Sequence, residues 1–118
     1  TDIDSNISTF FGASASGALV GVIGLERRGR FGLVRSMAVE EVARHQGIAR
    51  QLYERAEAEA RARGLVGLYA LTETAEPFFQ AAGFVRADRG DAPPEIAAST
   101  QFAALCPASA ALLVRPLT

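Results

Sequence analysis

The chain has 118 residues, 49% hydrophobic and 21% charged, a composition typical of one globular domain that excludes a disordered chain. With 12 basic and 13 acidic residues, its formal net charge of −1 excludes the basic excess of phosphate-binding nucleic-acid proteins. A single cysteine excludes an intrachain disulfide, and neither a membrane span nor a signal peptide is recognisable, so we expect a cytoplasmic protein.

The first third of the chain predicts short antiparallel strands separated by glycine-containing turns. Apolar residues up to Gly12 precede a turn at residues 14–17, and the next strand is predicted over Leu19–Leu25. A second turn at Arg27–Arg30 leads into a strand over Phe31–Val39. Strands joined in this way indicate an antiparallel meander.

A long amphipathic helix is predicted over Arg44–Arg63, with Gly64 as its left-handed C-cap. Apolar residues recur every four positions along it, at Ile48, Leu52, Ala56 and Ala60. The following segment, Leu65–Thr72, is almost entirely apolar, as expected for a strand buried on both faces. This combination indicates a parallel or mixed sheet covered by a helix.

The last third of the chain predicts two helices alternating with two strands. The predicted helices are Ala75–Ala82 and Glu95–Leu105, and the predicted strands are Phe84–Arg86 and Ala110–Arg115. Thr74 is the expected N-cap of the first of these helices, and Gly83 is its expected C-cap. Because no internal repeat or long linker interrupts the pattern, we expect residues 1–118 to form a single α/β domain.

The segment Val42–Arg50 has the features of a ligand-binding loop. It joins a strand to the start of the long helix, and Gly47 lies in the connection. The first amides of a helix have no internal partner and the helix dipole is positive there, so a glycine that admits a ligand produces a cradle for a diphosphate. The Walker motif is excluded because the chain contains no lysine, and the dinucleotide fingerprint needs three spaced glycines.

Arg44, Gly47 and Ala49 form an Arg-x-x-Gly-x-Ala pattern that resembles the signature of the GNAT superfamily of acetyl-coenzyme A-dependent acyltransferases. The run Ala75–Phe84 is similar to the family's Ala-x-x-Phe-Tyr-x-x-x-Gly-Phe element, and the resemblance extends over residues 18–86. It implies an α/β (α+β) fold with a mixed, mostly antiparallel sheet, splayed central strands and flanking helices.

The same resemblance implies that acetyl-coenzyme A is the co-substrate and that no metal is needed. Backbone groups of Met37 and Val39 would pair with the pantetheine arm, and Phe78 and Phe79 would flank its thiol end. The cofactor-binding residues implied are Met37, Ala38, Val39, Arg44, His45, Gln46, Gly47, Ile48, Ala49, Arg50, Thr72, Phe78 and Phe79. An amine would attack the thioester directly.

Two positions depart from the family's pattern. Phe79 stands where relatives often have a tyrosine that protonates the departing thiolate, and Leu33 stands where some have a glutamate base. Thr72 and Ser36 remain as candidate catalytic hydroxyls, and His45 is predicted to be an exposed loop residue rather than a base. The sequence names no general acid or base.

Arg35 is the candidate substrate-binding residue. Alternation places it on one strand face with Leu33, Met37 and Val39, and a cation on an apolar face needs a partner. Two alternatives are open: an internal ion pair, with Glu73 or Glu76 as candidate acids, or an acidic group of the acceptor.

Residues 91–110, together with 33–39 and 71–76, resemble the ArsN-like acetyltransferases associated with arsenic-resistance operons. The resemblance implies a bacterial N-acetyltransferase acting on the amine of a small molecule, an amino-acid-like arsenical or a glutamate analogue. The alternative is a non-catalytic coenzyme A-binding or sensor domain of the same fold, supported by Phe79 and Leu33.

Members of the family usually begin with a strand and one or two helices before the meander. Here the meander begins near residue 9, so the resemblance implies that an N-terminal strand and helix are missing. Either the chain is shortened or a partner chain covers the exposed edge, as a homodimer could. Apart from the small-molecule amine, we expect no nucleic-acid or membrane partner.

Overall fold

A computed structural model describes residues 8–15, 17–39, 47–72, 75–97 and 110–117. The strands in these ranges are β1 (Ser8–Ala15), β2 (Ala18–Arg28), β3 (Phe31–Val39), β4 (Gly67–Thr72), β5 (Val85–Ala87) and β6 (Ala111–Pro116). The helices are α1 (Ile48–Ala62), α2 (Glu76–Ala81) and α3 (Pro94–Ala97). The strands form one six-stranded sheet in the order β1-β2-β3-β4-β6-β5.

The sheet is mixed and mostly antiparallel, as the sequence predicts. Of its neighbouring strand pairs, β3 and β4 are parallel and the others are antiparallel. The parallel pair is joined by α1, since parallel neighbours need a long crossover connection. None of the helices in the described ranges is long and apolar enough to cross a membrane.

The first two meander strands are longer than predicted because the turns after them are tight, whereas β3 spans Phe31–Val39 as predicted. β1 extends to Ala15 and β2 to Arg28, so the predicted turns at residues 14–17 and Arg27–Arg30 are each wrong at their first two residues. Gly29, with φ at 62°, and Gly17, with φ at 81°, reverse the chain in a backbone region that favours glycine. A tight turn leaves more residues for strand pairing.

Helix α1 begins at Ile48 rather than at the predicted Arg44. Gly47 is its N-cap in a left-handed conformation, which a continuous helix does not allow. Residues 44–46 lie outside the described part of the chain. At the other end Gly64 is left-handed as predicted, and the amide of Leu65 donates to the carbonyl of Ala60.

The apolar stripe of α1 packs on one face of the sheet, which we call the α1 face. Predicted stripe residues Leu52, Ala56 and Ala60 are buried, and so is Tyr53. The sheet contributes Ile23, Leu25, Val34, Leu68, Ala70 and Leu113 to the same core. Small side chains on the helix let it lie close to the sheet.

The opposite face, which we call the α3 face, carries the alternate residues of the central strands. Leu33 and Leu112 are buried there by alternation, and α3 packs against β3 from this side with Ile96 fully buried. β4 is therefore largely buried on both faces, as its apolar sequence predicts.

The remaining element bounds differ from prediction by one or two residues. β4, β5 and β6 begin at Gly67, Val85 and Ala111, each later than predicted. Helix α2 takes Ala75 as its N-cap, so the assignment of Thr74 is wrong, and Thr74 itself lies outside the described residues. Helix α3 covers Pro94–Ala97, and the rest of the predicted helix to Leu105 also lies outside them.

Two buried glycines, Gly32 on the α1 face and Gly67 on the α3 face, show how the tightness of packing differs within the sheet. A Cβ on Gly32 would lie 2.8–3.1 Å from methyl groups of Leu68, Leu25 and Leu65, whereas a Cβ on Gly67 would be no closer than 3.4 Å to Phe31. Because the three leucines are buried and cannot all yield, Gly32→Ala should lower the free energy of unfolding by roughly 1–3 kcal/mol.

Gly67→Ala is the matched control and should change the stability by less than about 1 kcal/mol. Urea denaturation of both variants measures the difference. Equal stabilities would show that the leucine cluster around Gly32 has room to spare.

Candidate active site

The two central strands separate at one end of the sheet. β3 pairs with β4 over Phe31–Val34 and Gly67–Ala70. Beyond that register, β3 stays paired with β2 as far as Val39, and β4 stays paired with β6 as far as Thr72. Each strand thus stays paired with its outer neighbour beyond the point where β3 and β4 stop pairing with each other. The resulting gap between the strand ends, which we call the fork, confirms the predicted splayed strands.

A β-bulge lies in β3 beside the fork. The register of β3 opposite β2 shifts by one residue between Arg35 and Ala38. This shift turns Ala38 and Val39 over relative to Arg35, so Arg35 lies on the α3 face and Val39 on the α1 face. The prediction that they share a face is wrong. The side chains of Ser36 and Met37 lie outside the described part of the structure.

The start of α1 lies beside the fork on the α1 face. Gly47, with φ at 76°, has no side chain to cap the helix, and the amide of Gln51 bonds to its carbonyl oxygen at 3.0 Å. The amides of Ile48–Arg50 therefore precede the first bond within the helix. Ile48 packs on Gly21, which pairs with Val39 at the end of β3. A positive helix end is thus brought to the fork.

Of the predicted diphosphate loop, the structure describes Gly47 to Arg50. The other predicted residues, Arg44, His45 and Gln46, lie outside the described ranges. The guanidinium of Arg50 pairs with Glu54 at 3.1 Å and donates to the carbonyl of Ala81 at 3.4 Å. Arg50 thereby links the start of α1 to the end of α2.

Thr72 lies where β4 ends at the fork, and its side chain stabilises the following turn. Its Oγ1 accepts a hydrogen bond from the amide of Ala75 at 2.8 Å. Because Ala75 is the N-cap of α2, this contact fixes the angle at which α2 leaves the strand. The structure gives Thr72 a structural contact in addition to its predicted place at the site.

Phe78 and Phe79 of α2 differ in burial. Phe79 is 4% exposed and makes edge-to-face contacts with Phe78 at 5.3 Å and Phe84 at 5.1 Å. Phe78 is half-buried and faces the ring of Tyr53 at 6.4 Å. Phe79 is therefore mainly a core residue, and Phe78 is the more accessible of the pair.

A partly buried polar network holds α2 against α1 and β6. Nη1 of Arg115 donates to Glu57 Oε1 and to the carbonyl of Ala82, both at 2.6 Å. The hydroxyl of Tyr53 also donates to Glu57, at 2.8 Å. Since Ala82 is the C-cap of α2, the network fixes the helix that carries Phe78.

Ionisation in this network favours a neutral tyrosine and a charged glutamate. Burial, followed by the hydrogen bond to Glu57, raises the pKa of Tyr53 well above its usual value. Desolvation by itself would raise the pKa of Glu57. Hydrogen bonds from Tyr53 and Arg61 and the charge of Arg115 outweigh it and lower that pKa. Tyr53 thus stays protonated at neutral pH and donates its hydrogen bond to Glu57 as a structural group.

A second charged cluster lies on the α3 face at the fork. Nη1 of Arg35 pairs with Glu26 Oε1 at 2.6 Å, and Nη1 of Arg28 pairs with Oε2 of the same carboxylate at 3.1 Å. Of the two alternatives for Arg35, the internal ion pair is observed. The candidate partner Glu76 is wrong, because Glu76 lies 3.9 Å from Arg86 and the neighbouring strand β2 supplies the acid. Glu73 itself lies outside the described residues.

Sequence reasoning missed Glu26 and Arg115 as residues of interest. Glu26 is a lone acid in an apolar strand, a signal as strong as that of Arg35, and it lies directly opposite Leu33. Across the described ranges, no group of three or more His, Cys, Asp or Glu side chains could hold a metal ion. The described charged side chains at the fork, Glu26, Arg28 and Arg35, form ion pairs in which two arginines share one carboxylate.

Comparison with protein families gives one match. The model described as an acetyltransferase (GNAT) domain matches residues 6–86, well over half of the chain. Among curated proteins there is no significant match.

Several solved structures share the fold. A GNAT-family acetyltransferase from Staphylococcus aureus is 24% identical, with a TM-score of 0.79 over 98% of this chain and 71% of that one. A Mycobacterium tuberculosis protein in complex with coenzyme A is 21% identical, with a TM-score of 0.80 over 92% of this chain and 76% of that one.

N-acetylglutamate synthase from Neisseria gonorrhoeae, complexed with coenzyme A and N-acetyl-glutamate, is 23% identical, with a TM-score of 0.80. The alignment covers 92% of this chain but only 26% of the synthase, so the chain spans about a quarter of that protein.

The lowered pKa of Glu57 makes a prediction about stability and pH. A carboxylate whose pKa is lowered by folding stabilises the protein above its unfolded pKa, and the contribution is lost as the pH falls through the folded pKa. Glu57→Gln should therefore lower the free energy of unfolding at pH 7 by roughly 1.5–3 kcal/mol. The deficit should shrink below about pH 4.

Urea denaturation at pH 7 and pH 3.5 measures the deficit. Glu54→Gln, which alters an exposed pair on the same helix, should have little effect at either pH. A deficit for Glu57→Gln that is the same at both values would contradict the charged network.

Proposed function

Because the chain belongs to the GNAT acetyltransferase family, we propose that it transfers an acetyl group from acetyl-coenzyme A to the amine of a small molecule. The observation that carries this proposal is the fork between β3 and β4, with the start of α1 on one face and a cationic cluster on the other. An extended pantetheine arm can enter such a gap as an additional strand.

The residues at the fork fit the coenzyme. Nothing lies within 4 Å of a Cβ built on Gly47, so the backbone there is open to a bulky group. The amides that follow are at the positive end of a helix, which suits a diphosphate. Phe78, which is half-buried in α2, gives the α2 side of the fork an apolar surface.

Acetyl-coenzyme A supplies an activated thioester, and the protein's task is to position it. The carbonyl to be attacked would meet backbone amides near the bulge of β3, where a developing negative charge is stabilised. Phe79 has no proton to give the departing thiolate. A coenzyme A thiolate is a good leaving group, so positioning and charge stabilisation can carry the reaction.

The acceptor that we propose is an amino-acid-like amine with an acidic group, in the class of glutamate analogues and their arsenical counterparts. The support for this class is Arg35, whose guanidinium lies at the fork on the α3 face and is 30% exposed. The ArsN-like resemblance suggests the same class from the sequence side.

A second candidate function is coenzyme A binding without acetyl transfer. Two observations favour it: Phe79 replaces a proton donor within the core, and Leu33 is fully buried where a base would be expected. Such a sensor domain would bind acetyl-coenzyme A as tightly as an enzyme does.

Amine-dependent release of free thiol separates the two functions. We expect acetyl-coenzyme A to be consumed when acidic amino acids and their phosphinate or arsinate analogues are supplied, with formation of the N-acetyl product confirmed by mass spectrometry. Polyamines serve as the cationic comparison. Tight binding of the coenzyme with no amine-dependent thiol release would establish the sensor instead.

The predicted diphosphate cradle can be tested with a matched pair of glycines. Gly47 and Gly64 both have positive φ, at 76° and 74°, with nothing within 4 Å of a built Cβ. Gly47→Val and Gly64→Val should therefore lose similar stability, about 1–2 kcal/mol, from left-handed strain. Only Gly47→Val should weaken acetyl-coenzyme A binding, by tenfold or more, because its side chain covers the backbone that the diphosphate approaches.

Calorimetric titration of both variants with acetyl-coenzyme A gives the affinities, and thermal unfolding gives the stabilities. Equal affinities in Gly47→Val and Gly64→Val would mean that the diphosphate is held elsewhere.

A further inference from the structure

Glu26, Arg28 and Arg35 form a charged triad on the α3 face. Two guanidinium groups share one carboxylate, so the triad has a net charge of +1. The side chains are 9%, 16% and 30% exposed for Glu26, Arg28 and Arg35 respectively, which makes water a poor competitor for their charges. A buried excess of positive charge without a matching anion is unfavourable.

The two arginines of the triad differ in how many hydrogen bonds hold their guanidinium groups. Arg28 is held at both ends of its guanidinium, since its Nε also donates to the carbonyl of Glu95 in α3 at 3.0 Å. Arg35 contacts only Glu26 by ion pairing in the described structure, and its buried Nε has no hydrogen-bond partner there. Arg35 therefore retains donors for a further group, and Arg28 acts as an anchor.

The triad occupies the side of the sheet opposite the start of α1. Arg35 is the first residue of β3 beyond its register with β4, so it stands at the mouth of the fork. The start of α1 lies on the other face, beside Gly21 and Val39. A molecule on Arg35 would thus approach the fork from the side away from the diphosphate.

We infer that this triad binds a singly charged anionic group of the acceptor, with Arg35 as the binding residue and Glu26 as the positioning residue that holds its guanidinium at the fork. The inference rests on the proposed function and specifies its acceptor. One negative charge neutralises the triad, and a carboxylate matches the planar donor edge of arginine. Neutral amines leave the charge uncompensated, and polyamines are repelled by it.

Three amines that differ in one carboxylate test the binding role. L-glutamate has both carboxylates, L-glutamine lacks the side-chain carboxylate, and L-isoglutamine lacks the α-carboxylate. The protein should prefer glutamate over one of the two amides by roughly ten- to a hundredfold in kcat/KM, as expected for a charged hydrogen bond. The amide that is disfavoured identifies which carboxylate Arg35 binds.

Arg35→Met should abolish this preference, whereas Arg35→Lys should keep part of it through the charge alone. Arg30→Met removes an exposed cation in the turn that precedes the same strand and is the matched control. It should leave the preference unchanged. A preference that survives in Arg35→Met, or a faster reaction with putrescine than with glutamate, would overturn the inference.

A double-mutant cycle tests the positioning role of Glu26. Glu26→Gln should raise the KM for glutamate severalfold, with kcat and the KM for acetyl-coenzyme A nearly unchanged. The same change should have no further effect in the Arg35→Met background, since Glu26 acts through Arg35. A lower KM for glutamate in Glu26→Gln would show that Glu26 competes with the acceptor and does not position Arg35.

Binding of glutarate, a dicarboxylate without an amine, separates this inference from the proposed function. Calorimetry in the presence of coenzyme A should show glutarate binding that is lost in Arg35→Met. If no amine supports thiol release but glutarate binds in this way, the transferase proposal fails and the anion site stands. If amines are acetylated while glutarate does not bind and the glutamate preference is missing, the anion site fails and the transferase stands.

Discussion

The end of the register between β3 and β4 is the constraint on which the rest of the site depends. After Val34 and Ala70, each strand is held by hydrogen bonds to its outer neighbour, and the bulge in β3 adds a residue on one side. The extra residue bends β3 beside the fork, so the two strands diverge while each follows its outer neighbour. The facing backbone edges beyond the register are no longer paired with each other, and such a gap is suited to a ligand that forms hydrogen bonds as a strand does.

Close packing on the α1 face brings the helix to the fork. Ala56 and Ala60 on the helix and Gly21 and Gly32 on the sheet leave little space between the layers. The start of α1 consequently lies on β2 at the end of the fork. At the other end of the site, the bonds from Arg115 fix α2 by its C-cap. The core thus positions the groups that would meet the coenzyme.

The sequence predicts the elements well because most are specified by local features: glycines with positive φ, a four-residue apolar repeat in α1 and an apolar strand in β4. It fails where the outcome depends on two strands at once. The bulge after Arg35 reverses the face of Val39, and no local pattern marks it. The pairing of Arg35 with Glu26 needs the β2–β3 register, which the tight turn at Gly29 sets. The first residues of α1 and α2 differ from prediction for a simpler reason, since Gly47 and Ala75 are the N-caps after which these helices begin.

The register between β2 and β3 also determines which charged groups lie near an amine that has no dedicated base to activate it. Glu26 lies directly opposite Leu33, so a carboxylate is present on the same face, one strand away from where a base would be expected. Two guanidinium groups engage it, which commits it to ion pairing. The net positive charge of the triad, however, disfavours an ammonium group nearby and so favours the neutral, nucleophilic form of the amine. An acceptor whose acidic group binds Arg35 would neutralise that charge, so the triad would hold such an acceptor at the fork without lowering the pKa of its amine.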